Sequence, residues 1–263
     1  MIDLTVAEIK EQLKNADERA FEVLERSLVA DTRKGVRSAI EVARRRLEAQ
    51  AAERERLCAL YSFEADIARE RGAHLIVGLD EVGRGPLAGP LAVGAVVLRG
   101  GAPIEGLNDS KQVKPEDRRA IAEKVKSDAL AWTVRYVDPA DIDAQGMTAS
   151  LKRAFREAIA DIEQQGASVD LVLLDGNPLR IDEREVNVIK GDGRCASIAA
   201  ASIVAKVERD DLMVELDARY PGYGFASNKG YASPEHIEAI KALGLSPVHR
   251  ESFCTAFTQR SLF

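Results

Sequence analysis

An apolar run, Leu75-Ile76-Val77-Gly78-Leu79, stops at two adjacent acids, Asp80 and Glu81. A glycine- and proline-rich turn carries the chain to Pro90, and a second apolar run, Leu91 to Leu98, follows directly. Both runs are short, aliphatic and bounded by turn residues, which predicts two buried strands. Their close spacing leaves no room for a crossover helix and predicts an antiparallel hairpin. Ending a buried strand in two negative charges is unfavourable unless something pairs with them. Neighbours on a regular strand face opposite ways. Asp80 and Glu81 are therefore expected to share a site only where the strand breaks, with Gly83 and Gly85 supplying the break. A divalent cation is the simplest partner for the two acids, and the open backbone beside them admits a phosphate chain.

The texture before and after Gly72 differs. Residues 1–72 hold no proline, no glycine but Gly35 and Gly72, and dense mixed charge at helical spacing. They read as a helical N-terminal extension. Thr5-Val6-Ala7-Glu8 matches a capping box, so a helix is expected from Thr5 through Ile9 and Leu13. The pattern resumes around Phe21–Leu24, is interrupted over residues 31–35, and continues from Val36 to Arg71 as one or two helices. Arg44-Arg45-Arg46 reads as a solvated helix face ahead of a nucleic-acid contact.

Residues 73–263 alternate strands with helices, as an α/β layer structure does. A helix opens at Lys114-Pro115 and a strand covers Ala131–Val137. An amphipathic helix runs from Met147 to Gln165. Leu171–Leu174 is a strand ending in Asp175, and Val186–Ile189 is another ending in Lys190-Gly191-Asp192-Gly193. A long small-residue helix is expected from about Cys195 to Arg219, and a further one is capped by Ser233 and closed by Gly244.

The net charge of −6 argues against coating nucleic acid through bulk charge, but leaves an enzyme that binds through local basic clusters. The three cysteines are far apart and odd in number, which reads as reduced thiols of a cytoplasmic protein. No apolar run reaches membrane-spanning length, and the N-terminus carries no secretory pattern.

Three strands thus end in acids: Asp80 and Glu81, Asp175, and Asp192. Ligand crevices of open α/β sheets lie beyond strand ends, so the four carboxylates are expected to converge. Mg²⁺ or Mn²⁺ would relieve their repulsion, and a pair of such ions suits in-line phosphodiester hydrolysis. Taken singly, Asp175 and Asp192 also fit simple Asx turns. Gly83-x-Gly85-x-x-Ala88 formally satisfies a dinucleotide-binding pattern, but Pro86 and Pro90 crowd the helix start and the next element is a strand. No phosphate-binding nucleotide loop is present, and the three histidines lack metal-ligand spacing. His249-Arg250 fits a phosphate contact or surface placement equally.

The stretch Asp80-Glu81-Val82-Gly83-Arg84-Gly85-Pro86-Leu87-Ala88-Gly89-Pro90 resembles the signature of the bacterial ribonuclease HII (type 2 ribonuclease H) family. The likeness continues in order through Asn108-Asp109-Ser110-Lys111, Asp175-Gly176, Lys190-Gly191-Asp192, Ala200 to Asp210, Tyr223-Gly224-Phe225, Lys229-Gly230-Tyr231 and His249 to Phe253. It covers about residue 73 to the end. Leu4 to Lys10 resembles, more weakly, the helical extension of some members.

The resemblance implies an RNase H-like mixed sheet flanked by helices, with a C-terminal helical portion. It implies endonucleolytic cleavage of RNA in RNA/DNA hybrids and incision 5′ of single ribonucleotides in duplex DNA, leaving 3′-hydroxyl and 5′-phosphate ends. Asp80, Glu81, Asp175 and Asp192 would be catalytic metal ligands for Mg²⁺ or Mn²⁺. Gly83, Arg84 and Gly85 would grip the ribonucleotide and sense its 2′-hydroxyl, and Tyr231 would stack on the next sugar. Asn108, Ser110, Lys111, Lys206 and Lys229 would complete substrate binding, a surface role being equally open for Lys206. The expected partners are RNA/DNA hybrid and ribonucleotide-containing duplex, with a sliding clamp docking on the apolar C-terminal tail as an option; the chain is expected to be a monomer.

Overall fold

The computed structural model describes residues 4–258. The described chain divides into two compact units, one reaching Cys58 and the other starting at Ala59. The tail, Ser261-Leu262-Phe263, lies outside the described residues.

The first unit is built from helix α1 (Val6–Asn15), α2 (Glu18–Ser27) and the beginning of α3 (Lys34–Arg71). The capping box is present in full: the Thr5 hydroxyl accepts from the Glu8 amide, and the Glu8 carboxylate accepts from the Thr5 amide at 2.7 Å. Asp17 caps α2 through the Ala20 amide. Ile9, Leu13, Phe21, Leu28, Val36 and Leu47 form the core. The interruption falls at residues 28–33, and Gly35 sits inside the first turn of α3, which continues as one helix to Arg71. The basic cluster is largely consumed internally. Arg44 pairs with Glu25 and Glu41, and Arg46 donates to the Leu13 and Ala16 carbonyls at the end of α1. Arg45 is exposed.

The second unit holds a five-stranded mixed sheet of order β3-β2-β1-β4-β5. Its strands are β1 (Ile76–Val82), β2 (Leu91–Leu98), β3 (Ala129–Val137), β4 (Leu171–Asp175) and β5 (Glu185–Val188). β1 is antiparallel to β2, as its short connection requires, and parallel to β4. Helices α4 (Pro115–Asp128), α5 (Pro139–Gln145), α6 (Met147–Gln164) and α7 (Ala196–Arg219) flank the sheet, followed by α8 (Phe225–Asn228), α9 (Pro234–Leu243) and α10 (Glu251–Thr258). The apolar spacing of α6 buries Leu151, Phe155, Ile159 and Ile162 against Val77, Leu79, Val93 and Ala95. On alternate residues, Gly78 and Gly94 meet α7 so closely that a Cβ would stand 2.2 Å from the Ser197 carbonyl carbon or 2.4 Å from the Ala201 oxygen. The alanines of α7 permit the same approach from the helix side. This contact carries α7 across the sheet and beside the β1 acids.

Candidate active site

β1 does not break at its acids. Asp80 pairs with Gly94, Glu81 with Val93 and Val82 with Ala92 in unshifted register, so the break expected at the two acids comes only at the turn. The openness around them has another source. The pairing of β1 with β4 ends at Leu79–Leu174, so β1 outruns its parallel neighbour and its last residues lack a strand on that side. Asp80 and Glu81 line one cavity of about 340 Å³ together with Gly83, Arg84, Gly85, Ser110, Lys111, Ser202, Lys206 and Tyr231.

The pKa values of Asp80, Glu81 and Asp192 are raised above the usual carboxylate range. Burial, and then the Glu81 charge, pushes the Asp80 carboxyl well above the usual carboxylate range. Burial also raises Glu81, opposed by Arg84, whose Nη1 stands 2.9 Å from Glu81 Oε1. Asp192, in the short turn Gly191–Gly193, is raised by burial and then by Asp109 and Asp175. Lys111 Nζ stands 3.6 Å from Asp192 Oδ2. Asp175, at the end of β4, accepts from the Gly191 amide at 2.6 Å. That bond joins two strand ends and is not the local bond of an Asx turn. Among the described residues, no three histidine, cysteine, aspartate or glutamate side chains form a ready metal-holding group. The hard carboxylate oxygens and their mutual repulsion do suit a divalent cation.

The glycine-rich turn is fastened to the C-terminal helices. Gly83 adopts φ +88°, and a Cβ there would lie 2.2 Å from Arg209 Nε. The Leu87 amide donates to the Gly230 carbonyl at 2.8 Å, and Ala88 bridges to His249. These bonds bring Tyr231, 46% exposed, to the cavity.

Not every expected binding residue faces this cavity. Asn108 turns its side-chain oxygen to the Asp109 amide, and Lys229 donates to the Asp210 carbonyl. Lys206, half-buried, pairs with the Asp210 carboxylate while lining the cavity. His249 and Arg250 are both interior, neither surface residues nor cavity-lining. Ser202 went unread in the sequence, although it lines the cavity and its hydroxyl bonds Ser110 at 2.9 Å. A hydroxyl on a buried all-small helix was its available signal.

This mixed sheet, flanked by helices and with acids near the ends of β1 and β4, has the RNase H-like fold of an endonucleolytic hydrolase. The family model described as ribonuclease HII matches residues 77–256, and that of the ribonuclease HII N-terminal domain matches residues 5–68. The chain belongs to the ribonuclease HII family, and hence to the ribonucleases H acting on RNA/DNA hybrids. It is 46% identical over 208 residues to the ribonuclease HII of Ruminiclostridium cellulolyticum, covering 79% of this chain and 80% of that one. It is 42% identical over 228 residues to that of Listeria monocytogenes, covering 87% and 86%. A solved PCNA:RNase HII complex from Archaeoglobus fulgidus superposes with a TM-score of 0.59 at 25% identity, covering 72% of this chain and 98% of that one. Among the described residues, no helix is long and apolar enough to cross a membrane.

Proposed function

We propose that this ribonuclease H incises duplex DNA 5′ of a single embedded ribonucleotide, as well as cleaving longer hybrids, and leaves 3′-hydroxyl and 5′-phosphate ends. The observation that carries this reading is the meeting of Asp80 and Glu81 with the Gly83-Arg84-Gly85 turn and Tyr231 around one cavity. The 2′-hydroxyl is the group that separates RNA from DNA at a given site, and a glycine-lined backbone approaches it with no Cβ between. Tyr231 presents a ring of the right size to a neighbouring sugar. Lys111 and Lys206 supply positive charge for phosphates at the cavity wall, with Ser110 as a neutral donor.

Asp80, Glu81, Asp175 and Asp192 would hold Mg²⁺ or Mn²⁺, two ions during turnover. The chemistry such cations supply is a lowered pKa for water and neutralisation of charge on the departing oxygen. Arg84, through its ion pair, favours the ionised form of Glu81 against the burial that raises it. Asp175, through the Gly191 amide, holds the turn that carries Asp192. The work of these residues is thus to present anionic oxygens and to place the sugar.

The expected boundary at residue 72 moves to Cys58: residues 1–58 serve as an auxiliary substrate-binding element, the unit from Ala59 onward is the catalytic domain, and the cytoplasm is the compartment. A sliding clamp is a candidate partner, since a structural relative was solved in complex with one. The deciding experiment is incision of a duplex with one ribonucleotide in Mg²⁺ or Mn²⁺, with end analysis. Folded protein that cleaves a long hybrid but leaves the single ribonucleotide intact would sink the finer reading.

A further inference from the structure

Two arginines take no part in the chemistry above. Arg209 on α7 and Arg250, which precedes α10, are both fully buried. Among the described residues, neither pairs with a carboxylate; the Arg250 guanidinium stands 5.3 Å from the Phe253 ring. An interior charge without a counter-ion is tolerated only when its donors are engaged. Here the engaged partners are backbone carbonyls. Arg250 Nη2 donates to Gly83 at 2.7 Å and Gly89 at 2.9 Å, and its Nη1 donates to Arg84 at 2.9 Å. Arg209 donates to Pro90 at 2.9 Å, Ala88 at 3.3 Å and Lys229 at 3.1 Å.

All these acceptors belong to the turn from Gly83 to Pro90 or to the residue two before Tyr231. A trans peptide sets its C=O and N–H on opposite sides. Drawing the Gly83 and Arg84 carbonyls onto Arg250 therefore turns the Arg84 and Gly85 amides the other way. Consecutive amides displayed like this attract anions and hydroxyl oxygens. A glycine-containing turn left loose would have to be ordered at each binding event, and a fixed one is not. Burial lowers the Arg250 pKa to about 10, so its charge persists at neutral pH.

We propose that Arg250, backed by Arg209, is a positioning residue for sugar recognition. It fixes the turn so that the Arg84 and Gly85 amides are presented to the ribonucleotide. The inference rests on the proposed reading of the substrate. Arg250→Lys keeps the charge but replaces the planar fork by a single point donor that cannot span three carbonyls.

The test measures affinity, with Ca²⁺ to hold cleavage off, for a duplex with one ribonucleotide and for the all-deoxy duplex. The ribonucleotide preference is expected to fall at least about fivefold in Arg250→Lys, while all-deoxy affinity stays within about twofold. A variant that keeps the wild-type preference, or loses both affinities equally, overturns the inference. A wild-type protein that neither prefers nor incises the ribonucleotide duplex overturns the substrate reading itself. Should the variant not fold, amide exchange in the wild type decides. Protection across residues 83–89 without substrate supports the inference, and exchange at unfolded-chain rates overturns it.

Discussion

The Nε2 atoms of His236 and His249 face each other at 3.1 Å inside the C-terminal helices. The Ser246 amide can only donate, so His249 Nδ1 accepts it and the His249 proton sits on Nε2. His236 Nε2 must then accept, which leaves its proton on Nδ1, donated to the Tyr231 carbonyl at 2.8 Å. A chain of neutral imidazoles thus ends on the residue expected to read the second sugar. Protonating either ring sets two N–H groups against each other.

Acid should therefore weaken the fold here. Burial, then the neighbouring His236, lowers the His249 pKa from 6.5 to about 4. The unfolded chain binds the proton first, so this stabilisation is complete above pH 6.5 and is lost as pH falls through the folded value. The loss amounts to at most about 3 kcal/mol. Urea unfolding of wild type and His249→Gln from pH 8 to 4 reads it as a difference, and equal slopes in the two proteins would refute it.

Asp80→Asn should abolish incision and yet raise the melting temperature, by a free energy on the order of 1 kcal/mol. Asp80 is a carboxyl raised by burial and by Glu81. Above its folded pKa the native state holds this charge buried beside Glu81, whereas the unfolded chain holds it solvated, and the amide removes that difference. Mg²⁺ should raise the wild-type melting temperature more than the variant's. A destabilised, fully active variant would remove Asp80 from the acid cluster.

Glu64 on α3 accepts from the Ser197 amide at 2.8 Å and the Ser197 hydroxyl at 2.7 Å, capping α7 from another element. No side chain at Cys195 does so. Glu64→Ala should cost about 2–3 kcal/mol, since it loses a cap and strands a buried amide. Glu64→Gln, which retains one acceptor, should cost about half as much. Chemical denaturation measures both, and equal costs would contradict the capping account.

Truncation should be sharply position-dependent. Residues 59–71 belong to the catalytic unit, where Tyr61 accepts from the Ile104 amide and Phe63 lies 4.2 Å from the Arg194 guanidinium. Removing residues 1–58 should leave a folded enzyme whose KM for hybrid rises with kcat little changed. Removing residues 1–70 also deletes Glu64 and should cost at least about 3 kcal/mol. Circular dichroism melts and steady-state kinetics separate the two cuts; equal stability would refute the assignment of residues 59–71.

Local pattern was enough for much of this fold. Thr5 and Glu8 make the capping box because the two groups lie one turn apart. The β1–β2 hairpin follows from its short connection, and the acids at Asp80 and Asp175 stand where apolar runs end. What pattern missed involved partners distant in sequence. The short connection could not say that β1 continues through Glu81 past its pairing with β4, because β4 begins some ninety residues later and pairs with β1 only as far as Leu174. Arg44 and Arg46 read as a solvated helix face because their acceptors, on α1, α2 and a neighbouring turn of α3, are brought to them only by packing.

The order of apolar runs, caps and acids along the chain settled which elements form and which residues could carry charge to the site, since those depend on neighbours within a few positions. The burial of Arg209 and Arg250, the histidine chain to Tyr231 and the bond from Gly191 to Asp175 were decided only when the chain closed. Each joins groups whose separation along the backbone bears no relation to their distance in space, and an interior polar group must take whatever partner the packing brings within about 3 Å.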